Sequence, residues 1–170
     1  MKQRISANEF WMLWKTEVAE ELDQKENYEK YSQNKDWTNT VLSKNILNII
    51  KDKFDVDCRE EDYRVDAVFS GKENLIYKGT DSYYPKERLI LFEHENNIDT
   101  SVEELYKLLH RKAPLKVIVT YLWKGEDQKE LEEWVGKYSA IIAESNDWYQ
   151  ENQTTEYLII IGRRNEGDDG

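Results

Sequence analysis

Two glutamates separated by one residue close the apolar run Leu89-Ile90-Leu91-Phe92-Glu93-His94-Glu95-Asn96. In a strand, alternate side chains share a face, so Glu93 and Glu95 point the same way and His94 points the other. Like charges side by side at the end of a buried strand are unfavourable unless a cation or partner compensates them. A third carboxylate, Asp66, lies in another strand-like run, Tyr63-Arg64-Val65-Asp66-Ala67-Val68-Phe69. Three acids on adjacent strands are a donor set for a hard divalent ion such as Mg²⁺ or Mn²⁺, which takes oxygen ligands and keeps part of its water shell. Such an ion polarises a phosphodiester and lowers the pKa of a bound water for attack on phosphorus. Spacing alone leaves a plainer alternative open, that of solvated strand-end charges in an acidic protein.

The elements that must position these acids follow from periodicity. Phe10, Trp11, Leu13, Trp14, Val18 and Leu22 recur at helical spacing, predicting a first helix of about four turns capped by Ser6 or Asn8. Its aromatic residues Trp11 and Trp14 need a partner surface, either the domain itself or a second copy in a homodimer. A second helix is predicted over 38–54, with Val41, Ile46, Leu47, Ile49 and Ile50 inward and Asp36 or Thr38 as cap. Strands are predicted at 63–69, 75–77 and 89–95, with a turn over 70–74. A helix over 102–112 turns Leu105, Leu108 and Leu109 inward, with Glu103 and Glu104 in its first turn and Arg111 and Lys112 in its last, as the helix dipole favours. The apolar run 115–123 predicts a strand buried on both faces. A helix over 129–145 places Leu131, Trp134, Val135, Tyr138, Ile141 and Ile142 inward, and a last strand covers 157–162. Alternation in the second half implies parallel crossovers, and the middle implies an antiparallel meander. The expected fold is α/β, a mixed central sheet flanked by helices. It forms one domain over 1–165, of which 1–36 is an N-terminal helical extension, followed by an acidic tail at 166–170.

Composition narrows the remaining classes. Of 170 residues, 39% are hydrophobic and 35% charged. Disorder is nevertheless excluded by six tryptophans, eleven tyrosines, four phenylalanines and well-formed apolar runs. The lone Cys58 excludes an internal disulfide, suits a reducing cytoplasm and reads as a half-buried small residue. No signal-peptide pattern and no membrane-span run is present. There is no P-loop, dinucleotide glycine pattern, Cys/His zinc spacing or nucleophile-elbow serine, which leaves metal-assisted chemistry as the main enzymatic option. The net charge of −11 opposes nucleic-acid binding, but it is unevenly spread. Residues 126–170 hold twelve acidic and four basic side chains, whereas 102–124 hold Lys107, Arg111, Lys112, Lys116 and Lys124 against Glu103 and Glu104. A locally basic face beside the carboxylates is therefore expected.

Taken in order, a helix, Val65-Asp66-Ala67-Val68, Leu91-Phe92-Glu93-His94-Glu95, a second helix and Lys116-Val117-Ile118-Val119-Thr120 resemble the core of the PD-(D/E)XK nuclease superfamily. The resemblance covers about half the chain, residues 38–123. It implies a restriction-endonuclease-like α-β-β-β-α-β core, here with an extra N-terminal helix and a C-terminal α-β. It further implies Asp66 as the first acid, preceded by valine where proline is usual, and Glu93 as the second. The backbone carbonyl of His94 is the implied additional ligand, and Mg²⁺ or Mn²⁺ the implied cofactor. Glu95 stands where lysine is usual, a departure that some restriction endonucleases share. In others the lysine moves to the following helix, where this chain has Lys107. The implied activity is metal-dependent hydrolysis of DNA by Asp66, Glu93, Glu95 and Lys107. Glu95 also keeps a second reading alive, a catalytically inactive nuclease-like protein that binds a protein partner through its acidic C-terminal surface. Less central candidates are His94 as a structural histidine, His110 on the helix face, Asn96 and Asn97 shaping the strand end, and Glu17, Glu20 and Glu21 as extra acids.

Overall fold

The computed structural model describes residues 4–22, 45–62, 64–72, 87–122, 128–149 and 154–163. The chain opens with α1 (Ala7–Leu13), which runs without a break through a π-helical segment, Trp14–Val18, into α2 (Ala19–Leu22). Ser6 is the cap, in a capping box with Glu9: the Glu9 N–H donates to Ser6 Oγ at 3.2 Å and the Ser6 N–H to Glu9 Oε2 at 2.8 Å. The π segment has a packing reason. Phe10, Trp14 and Val18 are buried at four-residue intervals, a spacing that drifts by about 40° per step on an ideal α-helix and less on a wider one. Phe10 stacks on Trp14 at a centroid distance of 6.3 Å and both meet Phe92 in tilted contacts at 6.2 Å, so Trp14 packs on the domain, whereas Trp11 is exposed.

Next come α3 (Leu47–Phe54), β1 (Val56–Asp62), β2 (Val65–Gly71), β3 (Arg88–Glu95), α4 (Ser101–Leu109), β4 (Leu115–Leu122), α5 (Gln128–Tyr149) and β5 (Glu156–Arg163). The strands form one sheet in the order β1-β2-β3-β4-β5. β1, β2 and β3 pair antiparallel, and β3, β4 and β5 pair parallel through the crossover helices α4 and α5. The fold is therefore α/β with a mixed sheet flanked by helices, as the alternation of elements led one to expect. Apolar side chains alternate between two cores. Ala67, Phe69, Ile90, Phe92, Val117 and Val119 meet α1 and α3, while Val68, Leu91 and Ile118 meet α4 and α5. Among the described residues no helix is long and apolar enough to cross a membrane.

Three features differ from the expectation. The segment Val56–Asp62, for which the sequence predicts no element, is a strand, and the next strand runs from Val65, not Tyr63, to Gly71, within the expected turn. β1 carries five charged side chains in seven residues because it is an edge strand whose middle faces solvent, so hydrophobic patterning does not reveal it. Second, α5 is longer than predicted, and Val135 on it is 51% exposed where an inward position was expected. Third, β4 is buried along its whole length, so Lys116 is drawn inside: it donates to the Tyr157 hydroxyl at 3.1 Å and lies 5.0 Å from that ring's centroid. Lys116 is thereby removed from the expected basic face. The predicted strand at 75–77, the start of the second helix at 38–44 with its caps, Lys124 and the tail at 166–170 fall outside the described residues.

Candidate functional site

The site forms where one backbone ladder stops. β2 and β3 pair as far as Ala67 opposite Phe92. Beyond that point side chains take over: the Asp66 N–H donates to Glu93 Oε2 at 3.3 Å, and the His94 N–H donates to Asp66 Oδ2 at 2.8 Å. Each carboxylate thus stands in for a carbonyl of the neighbouring strand, and the exchange draws the two acids together. β3 meanwhile continues its pairing with β4 as far as Glu95 opposite Thr120, which holds the acidic end of β3 in place.

Burial makes the pair electrostatically strained. Glu93 is 1% exposed, and its Oε1 has no hydrogen-bond partner. Burial first, then the charges of Asp66 and Glu104, push the Glu93 carboxyl up to about 9; Lys107 and the Asp66 N–H act in the opposite direction. Asp66 is also raised, again chiefly by burial, against the lowering effects of its hydrogen bonds with the His94 N–H and the Glu93 side chain. Among the described residues neither acid has an ion-pair partner. A buried and a half-buried carboxylate that both resist ionisation are an arrangement a bound cation relieves.

Helix α4 adds charges the strands lack. Lys107 ion-pairs with Glu104, one helical turn away. Burial disfavours the Lys107 ammonium, but the Glu104 contact and the charges of Glu93 and Asp66 outweigh it and raise its pKa. Lys107 is thus within charge range of the acids, on the helix after β3 and on the same side of it as Glu104. Glu104 is the functional candidate that sequence reading missed. Its place in the first turn of α4 is explained by the helix dipole, and only packing of α4 on the sheet turns it toward Asp66 and Glu93.

Glu95 is not brought to this group. Its Oε1 accepts the Asn97 N–H at 3.0 Å, closing the turn that leads into α4. Asn97 continues that turn: its carbonyl accepts from Thr100 and Ser101, and its side chain accepts the Asp99 N–H at 3.1 Å. Thr100 holds the N-cap position of α4 without a side-chain capping bond. Among the described residues no three His, Cys, Asp or Glu side chains group closely enough to hold a metal ion between them. What the corner offers is two convergent carboxylates with Glu104 and Lys107 beside them.

His94 points away from the acids, as strand parity requires. Its Nε2 lies 3.0 Å from the Tyr121 hydroxyl on the α1 side of the sheet, with the rings edge to face at 5.4 Å. Gly162 makes room for that tyrosine, because a Cβ there would stand 2.6 Å from the ring. Glu17 is ion-paired with Lys53 on α3, on the far side of the sheet from the acids. His110 is exposed at the C-cap of α4. Cys58 is half-buried on β1, its thiol pushed up to about 12 by burial and by Glu60, so it is no nucleophile at neutral pH.

No family model, curated protein or solved structure matches the chain.

Proposed function

We propose that this chain is a divalent-metal-dependent nuclease of the PD-(D/E)XK type acting on DNA phosphodiesters. The observation that carries the reading is the convergence of Asp66 and Glu93 at the end of the β2–β3 ladder, with Glu93 Oε1 buried and unpartnered. The order α3, β1, β2, β3, α4, β4 supports it, being the α-β-β-β-α-β order that the resemblance implies.

The residues fit a hard cation. Mg²⁺ or Mn²⁺ is commonly held by one or two carboxylates and completes its octahedral shell with water and phosphate oxygens, so a third protein acid is not required. Asp66 and Glu93 would hold the ion; Glu95, spent in its own turn, would not. When bound, the ion supplies Lewis acidity toward the phosphate and a more acidic water. The chain's own residues do the rest. Backbone N–H groups of Asp66 and His94 fix the two carboxylates, and Lys107 on α4 offers a positive charge for the phosphate where Glu95 has displaced the usual lysine. Glu104 keeps Lys107 charged and oriented.

The test is cleavage of supercoiled plasmid by purified protein in Mg²⁺ or Mn²⁺, comparing wild type with Glu93→Ala and Asp66→Ala. Metal-dependent nicking lost in both variants is the expected result. Nicking that survives both assigns the activity to a contaminant, and no metal binding by calorimetry would move the assignment to a non-catalytic, acidic protein-interaction module.

A further inference from the structure

Another buried polar atom without a hydrogen-bond partner lies on the strand beside the acids. Thr120 on β4 is 0% exposed, and its Oγ1 makes no hydrogen bond. Register puts it beside the corner. Thr120 pairs with Glu95 and Ile118 with Glu93 in the parallel β3–β4 ladder. Ile118 belongs to the core beneath α4, so Thr120, two residues on, faces the same side and is a diagonal neighbour of Glu93. Glu95, directly opposite, turns its carboxylate to Asn97 and leaves the threonine hydroxyl unmet.

That hydroxyl has no packing rationale. β4 otherwise uses Val117, Ile118 and Val119 in its centre, and valine has the shape of threonine without an unmet polar atom. Two orphaned oxygens, Glu93 Oε1 and Thr120 Oγ1, therefore lie on neighbouring strands and one face. Native structures rarely leave such atoms without a water, an ion or a ligand.

We infer that Thr120 is a third wall of the Asp66–Glu93 site, and that its hydroxyl hydrogen-bonds the water shell of a divalent cation held by those carboxylates. The inference rests on the metal-dependent reading above and adds the residue that positions the shell. Mg²⁺ and Mn²⁺ retain water when few carboxylates hold them, and those waters need fixed acceptors to be oriented. Thr120 would act through the ion's water shell and not on the ion itself; it is a positioning residue.

The experiment is titration of the metal-free full chain with Mn²⁺, read by calorimetry and by water-proton relaxation, alongside urea unfolding in EDTA. Thr120→Val is expected to weaken Mn²⁺ binding about tenfold while leaving the metal-free urea midpoint equal or higher, because an unmet hydroxyl is removed. Thr120→Ser is expected to bind within about threefold of wild type, since it keeps the oxygen. If Thr120→Val binds Mn²⁺ like wild type while Glu93→Gln loses binding, Thr120 is core packing only and the metal reading stands without it. Equal weakening in Val and Ser variants also overturns the inference, because packing and not the hydroxyl is then responsible. If wild type itself binds no Mn²⁺, the metal reading falls and the role of Thr120 with it. Should Thr120→Val fail to fold, Ser against Ala decides on the same criterion, because that pair differs by the hydroxyl alone.

Discussion

Two acidic positions, Asp62 buried and Asp66 half-buried, lie four residues apart on the β1–β2 hairpin, and the protein treats them in opposite ways. Asp62, 5% exposed, is held by guanidinium groups, with Arg59 at 3.6 Å and Arg88 at 4.0 Å. Asp66 and its neighbour Glu93 are met by backbone N–H groups and by each other, not by a guanidinium, and the nearby Lys107 ion-pairs with Glu104. A buried carboxylate that serves structure is neutralised by the chain's own cations. One left to repel a second carboxylate is a candidate for a cation supplied from outside. The contrast separates a clamp on the hairpin from a site.

The largest effect that could break this contrast is on cleavage. Asp66→Asn or Glu93→Gln is expected to reduce Mg²⁺-dependent nicking by about 100-fold or more, while Asp62→Asn leaves the rate per folded molecule within about twofold. Equal losses at all three positions, with the Asp62 variant fully folded, would erase the distinction. Next in size is Lys107→Met, expected to lower kcat about tenfold while Mn²⁺ affinity stays level or rises, because a competing positive charge is removed. A fall in Mn²⁺ affinity instead would make Lys107 a support for the carboxylates.

Stability should separate the two positions by sign. Asp62→Asn is expected to destabilise by about 1–3 kcal/mol in urea unfolding, a modest figure because both arginines are partly solvated. Glu93 behaves differently without metal. Its native pKa lies above that of the unfolded chain, so the native state holds a proton that the unfolded state has released. Stability in EDTA should therefore fall as pH rises from about 4.5 to about 9, and Glu93→Gln should flatten that slope. A slope unchanged by Glu93→Gln would place the titration elsewhere. The smallest effect is on Cys58: with its thiol near 12, labelling by a disulfide reagent at pH 8 should be slow, and Asp62→Asn should accelerate it if the arginine clamp holds the hairpin shut.

Apolar periodicity made much of the fold legible. The run Leu89–Phe92 and the continuous apolar stretch of β4 announced buried strands, and Leu105, Leu108 and Leu109 marked the buried side of α4. β1 was not legible, because an edge strand that shows its charged middle to water carries no apolar alternation. The π segment was not legible either, since the residue that opens it, Trp14, packs against Phe92 on another element. At the site, strand parity correctly separated Glu93 from His94. Parity also grouped Glu95 with Glu93; what it could not foresee is that Glu95, the last residue of β3, has a backbone N–H two residues on to bond.

The order of residues by itself determined that acids stand at the ends of buried strands and that a lysine-bearing helix follows them. It did so because burial patterns and caps are local properties of the chain. Only the tertiary structure decided which acids meet. Asp66 and Glu93 converge because the β2–β3 ladder ends between them, and Glu104 and Lys107 join because α4 packs across β3 and β4. Thr120 enters by register between strands joined through a helix. Those pairings depend on contacts far apart in sequence, which no local periodicity encodes.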